Sequence, residues 1–213
     1  MKNFETVLFD LDGTITDPAE GITNSVAYAL DSYGIKVPDK RTLYPFIGPP
    51  LYASFMKYFG FSKEQSLEAV NRYREYYSVK GVFECTLYPG MQELLKNLNH
   101  AGKKVILATS KPEIFANQIL KHFGIAQFFH LVSGATLDSH RVEKADIIKH
   151  AATLTNIYPG VMVGDREFDI FGAKATNLYA VGVTYGYGSR QELEAAGANI
   201  VCENVKDIEN LLL

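Results

Sequence analysis

Short β-branched and aromatic runs alternate with helical patterns along most of this chain, and that alternation restricts its fold more than any other property. Strands are expected at 5–11, 104–109, 130–134, 160–165 and 179–184, with a short one at 199–202. Helices are expected among them at 91–101, 113–123, 143–154, 168–176, 190–196 and 205–212. Strand–helix–strand repetition calls for parallel pairing with helices on both faces. The expected fold class is therefore α/β, a Rossmann-like doubly wound parallel sheet.

Residues 17–84 interrupt the rhythm. No convincing strand is found there; helices are expected at 19–33, 51–59 and 63–78, with a turn-rich piece at 45–50. A segment of this length is too long for a plain connection and too helical to extend the sheet. The division expected is an α/β core of 1–16 plus 85–213 and an inserted all-helical cap of 17–84. Most of the cap's aromatic residues, from Tyr28 to Tyr77, are expected to form its small core.

The chain has 213 residues, 47% of them hydrophobic and 21% charged, enough to bury a sizeable core. A net charge of −3 with interspersed signs excludes a basic footprint for nucleic acid or anionic lipid. Cys85 and Cys202 are isolated and are read as reduced thiols. No run approaches a membrane span, and a strand begins almost at the N-terminus, without a leader pattern. The expected location is cytoplasmic.

Chemistry is concentrated at the carboxyl ends of the expected strands, where open α/β sheets bind ligands. The run Val7-Leu8-Phe9 opens into Asp10-Leu11-Asp12-Gly13-Thr14. Residues two apart on an extended strand share a side, so Asp10 and Asp12 face one small volume. Their repulsion requires a cation or a shared proton. A hard divalent ion with oxygen ligands, most simply Mg2+, fits. An Asp-Gly turn alone would explain Asp12 and Gly13 but not Asp10, an acid set at the end of an apolar run. Thr109 and Ser110 end the run from Val105, and Gly164-Asp165-Arg166-Glu167-Phe168-Asp169 follows Val161-Met162-Val163.

These motifs resemble, in order, those of the haloacid dehalogenase superfamily, whose phosphatase members use the first aspartate as nucleophile and the second as general acid and base. The resemblance covers essentially the whole chain and implies the same helical cap. It implies that Asp10 is the nucleophile and Asp12 the proton carrier. Thr109, with Ser110, Lys111, Gly13 and Thr14, would hold phosphate, with the competing reading of a simple helix N-cap at Thr109 or Ser110. The cation that neutralises the phosphoryl oxygens is Lys144 or Lys111; Lys144 is favoured by its place at a helix start, against the alternative of a solvated surface lysine. Mg2+ would be held by Asp10, the backbone carbonyl of Asp12 and Asp165, with Asp169 completing or bracing its shell.

The implied reaction is hydrolysis of a small phosphate monoester through an aspartyl-phosphate. Dehalogenase members lack the second acid, so Asp12 points to phosphate chemistry; the ion-pump pattern Asp-Lys-Thr-Gly-Thr is absent. Phe46-Ile47-Gly48-Pro49-Pro50-Leu51 and Gly186-Tyr187-Gly188 resemble the branch containing phosphoglycolate phosphatases and 5′-nucleotidases. Phosphoglycolate or a nucleoside 5′-monophosphate is the expected substrate class, read by the cap, and the protein is expected to be a monomer or weak homodimer. A sugar phosphomutase and a non-catalytic phosphometabolite-binding protein remain the alternatives.

Overall fold

The computed structural model describes residues 4–137 and 140–213. Six parallel strands form one sheet in the order β5-β4-β1-β6-β7-β8: β1 (Thr6–Phe9), β4 (Lys104–Pro112), β5 (Leu131–Ala135), β6 (Gly160–Gly164), β7 (Tyr179–Val183) and β8 (Ile200–Cys202). The chain builds outward from β1 through β4 to β5, then returns to the other side of β1 for β6, β7 and β8. The order reverses around β1, and ligand crevices in doubly wound sheets lie at such switch points.

Both faces of the sheet are dry, which is why its central strands read as unbroken apolar runs rather than as alternating ones. Leu8, Ile106, Ala108, Met162 and Ala180 pack against α6 (Lys144–Leu154), α7 (Glu167–Ala175) and Leu193 of α8 (Arg190–Ala196). The intervening residues Val7, Phe9, Val105, Leu107, Val161 and Val163 point the other way and are equally buried. Each large side chain so buried contributes about 1.5–3 kcal/mol, which fixes the strand ends from which the polar residues project. The remaining helices of this unit are α4 (Met91–His100), α5 (Glu113–His122) and α9 (Val205–Leu212).

The chain divides into two compact units, one running to Asp17 and resuming at Leu87, the other Pro18–Thr86. The second unit contains α1 (Ala19–Asp31), α2 (Leu51–Phe59), α3 (Lys63–Tyr77) and 3-10 turns at Lys40–Phe46 and Gly81–Phe83. Its α3 begins in a capping box between Ser62 and Gln65, and α2 ends on Gly60 in the left-handed conformation (φ 66°). Aromatic rings fill its interior. Phe46 meets Phe55 edge-on at 5.1 Å, and Phe55 stacks on Phe61 at 5.8 Å.

Two short strands escaped the sequence reading. β2 (Thr16–Asp17) and β3 (Thr86–Leu87) form a separate two-stranded sheet, and β2 overlaps a segment read as strand-free. Two residues carry no detectable periodicity, so only the long-range pairing reveals them. β4 also outruns its expected end at Thr109, because pairing resumes at Pro112 after an irregularity in register.

Candidate active site

Phe9 ends β1, but the ladder continues one step further: the Asp10 amide donates to the Val163 carbonyl at 2.9 Å. The chain then folds into a tight turn in which the Ile15 amide donates to Leu11 at 2.9 Å and the Gly13 amide to Thr16 at 2.8 Å. Gly13 takes φ +83°, and a Cβ there would lie 2.2 Å from Asp165 Oδ2. Only glycine satisfies both the turn and this approach.

Two lysines organise the carboxylates. Lys144, the first residue of α6, is 4% exposed; its Nζ lies 2.8 Å from Asp10 Oδ1 and 2.8 Å from Asp169 Oδ1, and donates to the Ala108 carbonyl at 2.9 Å. Such burial rules out the surface-lysine reading. Burial by itself would lower the Lys144 pKa, but Asp10 and Asp169 together outweigh it and raise the value, so the ammonium stays charged. Lys111 makes a separate pair, its Nζ 2.7 Å from Asp12 Oδ2.

Asp165 and Asp169 come from the loop and first turn after β6. Asp169 Oδ2 accepts from the Arg166 amide at 3.1 Å, closing the start of α7. Asp165 accepts from Thr14 Oγ1 at 3.4 Å and from the Tyr187 amide at 2.8 Å. Burial, joined by the Asp169 and Asp10 charges, pushes Asp165 well above the usual carboxylate range. Asp169 is pushed up to about 6, mainly by burial and against the pull of Lys144. Burial also raises Asp12, with Lys111 opposing.

Oxygen ligand atoms of Asp10, Asp165 and Asp169 all lie within 4.8 Å of one another. Four carboxylates and two ammonium groups leave this buried cluster formally two charges negative. An all-oxygen donor set with that deficit fits a hard divalent cation. The Asp12 side chain stands outside the triad, paired with Lys111.

The other expected residues divide. Thr109 is 1% exposed, and its Oγ1 accepts from the Lys111 amide at 3.2 Å. It is not a helix cap, since α5 starts after Pro112 without a side-chain cap. The Ser110 hydroxyl donates to the Val142 carbonyl at 3.0 Å, bracing the loop before Lys144.

Sequence reasoning marked Gly186-Tyr187-Gly188 without seeing its task. A Cβ on Gly186 would lie 2.3 Å from the Gly13 carbonyl oxygen and 2.5 Å from Asp165 Cβ, so the loop after β7 wedges against the first motif and clasps Asp165. The Tyr187 hydroxyl also bonds Asp17, and the Tyr185 hydroxyl donates to the Thr14 carbonyl at 2.9 Å. Glu192, which carried no sequence signal, accepts from Arg166 Nε at 2.8 Å and from the Glu167 amide at 2.9 Å, pinning the Asp165 loop to α8.

A family model described as haloacid dehalogenase-like hydrolase matches residues 7–183, a span that contains every carboxylate and lysine of this cluster. The chain belongs to the haloacid dehalogenase-like hydrolases. Within them it is 40% identical over 211 residues to a 5′-nucleotidase of Pseudomonas aeruginosa, covering 98% of this chain and 96% of that protein. It is 38% identical over 199 residues to the tyrosine-protein kinase PtkA of Mycobacterium tuberculosis, covering 92% of this chain and 68% of that one. The crystal structure of a predicted phosphatase from Clostridium acetobutylicum superposes with a TM-score of 0.94 at 43% identity, over 99% of both chains. This haloacid dehalogenase-like hydrolase is a phosphatase acting on phosphoric monoesters. Among the described residues no helix is long and apolar enough to cross a membrane.

Proposed function

We propose that this phosphatase hydrolyses a small phosphate monoester, a nucleoside 5′-monophosphate or phosphoglycolate, with Mg2+ as its metal and an aspartyl-phosphate as its intermediate. One observation carries the reading. Two acids two residues apart have been given different neighbours: Asp10, buried, lies in the cation-fitting triad with Lys144, and Asp12, partly exposed, stands outside it on Lys111. A nucleophile must stay ionised, whereas a proton carrier must gain and lose a proton, and the two environments suit those separate tasks.

In the first step an Asp10 oxygen forms a bond to phosphorus while the bond to the leaving oxygen breaks, and Asp12 delivers its proton to the departing alkoxide. Asp12, now a carboxylate, takes a proton from water as the water oxygen attacks phosphorus; the Asp10–phosphorus bond breaks, and inorganic phosphate leaves. Lys144 and Thr109 offset and orient the charge spread over the phosphoryl oxygens. Asp10, the Asp12 carbonyl and Asp165 would hold Mg2+, with Asp169 as brace. The ion would supply the positive charge that lets a carboxylate approach a phosphate dianion.

Two relatives support the substrate class: the 5′-nucleotidase at 40% identity, and a phosphoglycolate phosphatase of Colwellia psychrerythraea at 30% identity over 92% of both chains. The PtkA likeness gives a second reading, in which a phenol rather than water receives the phosphoryl group. The test is phosphate release, with Mg2+ or with chelator, from nucleoside 5′-monophosphates, phosphoglycolate, sugar phosphates and pyrophosphate. One ester standing well above the rest names the substrate. No release from any of them, together with labelling of a tyrosine acceptor from ATP, would replace hydrolysis by transfer.

A further inference from the structure

The function just proposed makes Asp12 the proton carrier, and the inference here rests on that reading. It concerns Lys111, which the motif resemblance places among phosphate-holding residues and as the alternative to Lys144 for the neutralising cation. Three observations bear on it. Lys111 lies within the register irregularity of β4 between Thr109 and Pro112, and irregularities of this kind re-aim side chains next to active sites. Its side chain is 5% exposed, with the ammonium 2.7 Å from Asp12 Oδ2, and its amide is fixed by Thr109 Oγ1 at 3.2 Å. The two oxygens of Asp12 are unequal: Oδ2 has the ammonium, while Oδ1 is buried with no hydrogen-bond partner among the described residues.

A buried carboxylate oxygen without a partner costs free energy, roughly 1–3 kcal/mol or more for a charged group. Structures tolerate that where the oxygen is needed for an exchange that a fixed partner would block. Meanwhile Lys144 serves Asp10 and Asp169, so each reacting acid has its own buried ammonium.

We propose that Lys111 is a positioning residue for Asp12: it holds the carboxylate by Oδ2, so that Oδ1 is the oxygen that gives a proton to the leaving alkoxide and later takes one from water. A carboxylate fixed by one oxygen has lost its side-chain rotation, and the second oxygen faces one direction in both steps. Lys111 takes no proton itself. Proton and bond bookkeeping remain those of the two steps above, with Lys111 charged throughout.

The experiment compares kcat/KM, which reports the step up to leaving-group departure, for two esters in Lys111→Met. One is the alkyl phosphate cleaved fastest in the panel above; the other is 4-nitrophenyl phosphate, whose leaving group departs without a proton. General acid catalysis contributes about 10²–10⁴-fold, so the alkyl ester should lose on the order of 100-fold and the nitrophenyl ester no more than a few-fold. Asp12→Asn should show the same split, and adding Lys111→Met to Asp12→Asn should cost the alkyl ester little more, as expected for two residues acting as a unit.

An equal fall for both esters with a raised KM would overturn the proposal and make Lys111 a phosphate ligand. Unchanged values for both would overturn it as well. If Asp12→Asn itself failed to split the esters, the proton-carrier reading would fall, a result distinct from failure at Lys111. Should Lys111→Met not fold, Lys111→Arg keeps the charge but displaces it. A loss confined to the alkyl ester then supports the proposal, and an equal loss or none overturns it.

Discussion

Ion pairs in the two units of this protein look alike as distances and differ as physics. In the helical unit Arg72 lies 3.1 Å from Glu75, with the two side chains 45% and 47% exposed. At the end of the sheet Lys144 lies 2.8 Å from Asp10 and from Asp169, with its side chain 3% exposed. Water screens the first pair, which is worth about 0–1 kcal/mol. The second is an expensive arrangement, because desolvating ions costs several kcal/mol each and an apolar replacement is often no less stable. Buried charge concentrated at one sheet edge therefore marks chemistry, whereas surface pairing says little about it.

The strongest way to break that contrast is Asp10→Asn. If the buried acid is the nucleophile, turnover should fall at least roughly 10⁴-fold while the circular dichroism spectrum is preserved. Next comes Lys144→Met, which strands Asp10 and Asp169 without a counter-charge. Activity should fall on the order of 10³-fold, and denaturant titration should show a loss of about 3–5 kcal/mol. Retained activity in that variant would reduce Lys144 to a structural cation.

Gly186→Ala probes the clasp on Asp165 without touching a charge. The new Cβ would sit 2.3 Å from the Gly13 carbonyl oxygen, so the loop must shift. About 1–3 kcal/mol of stability should be lost, and the Mg2+ concentration for half-maximal activity should rise roughly 10-fold. An unchanged Mg2+ requirement would detach the loop from the metal site.

A smaller effect concerns pH. The Asp169 pKa is raised to about 6, chiefly by burial, from an ordinary 3.8. The native chain thus keeps a proton that the unfolded chain releases first, and the contribution of Asp169 to stability falls as pH rises through that window. In metal-free protein, wild type should lose stability between about pH 4 and pH 6 relative to Asp169→Asn, and saturating Mg2+ should remove the difference. Smallest of all is Arg72→Ala, expected within about 0.5 kcal/mol of wild type and with unaltered kcat/KM. A clear rise in KM there would make Arg72 a substrate contact.

The sheet was legible in the sequence because parallel strands buried on both faces leave unbroken apolar runs; Val7-Leu8-Phe9 and Val161-Met162-Val163 are such runs. Local patterns also place Lys144 at a helix start and Asp169 in a first turn. What stayed hidden depends on contacts distant along the chain. β2 and β3 are two residues each and exist only through pairing. The partnership of Lys111 with Asp12 joins the ends of two strands far apart along the chain, which no local residue pattern encodes. Tyr187 reaches Asp165 across 22 residues through a backbone amide, a donor that every non-proline residue carries. Within the helical unit the aromatic core was legible from spacing, yet Tyr28, Tyr44 and Tyr58 remain more than 40% exposed among rings otherwise buried.

The central claim is that Asp10 carries the phosphoryl group, and trapping it is the most direct test. Enzyme turning over its best ester with Mg2+ is quenched in acid and reduced with borohydride, which converts an acyl phosphate to the alcohol; peptides are then sequenced by mass spectrometry. The account predicts homoserine at position 10, present only with substrate and absent in Asp10→Asn. Reduction at another residue, or none at all from enzyme shown to accumulate bound phosphate, would contradict it.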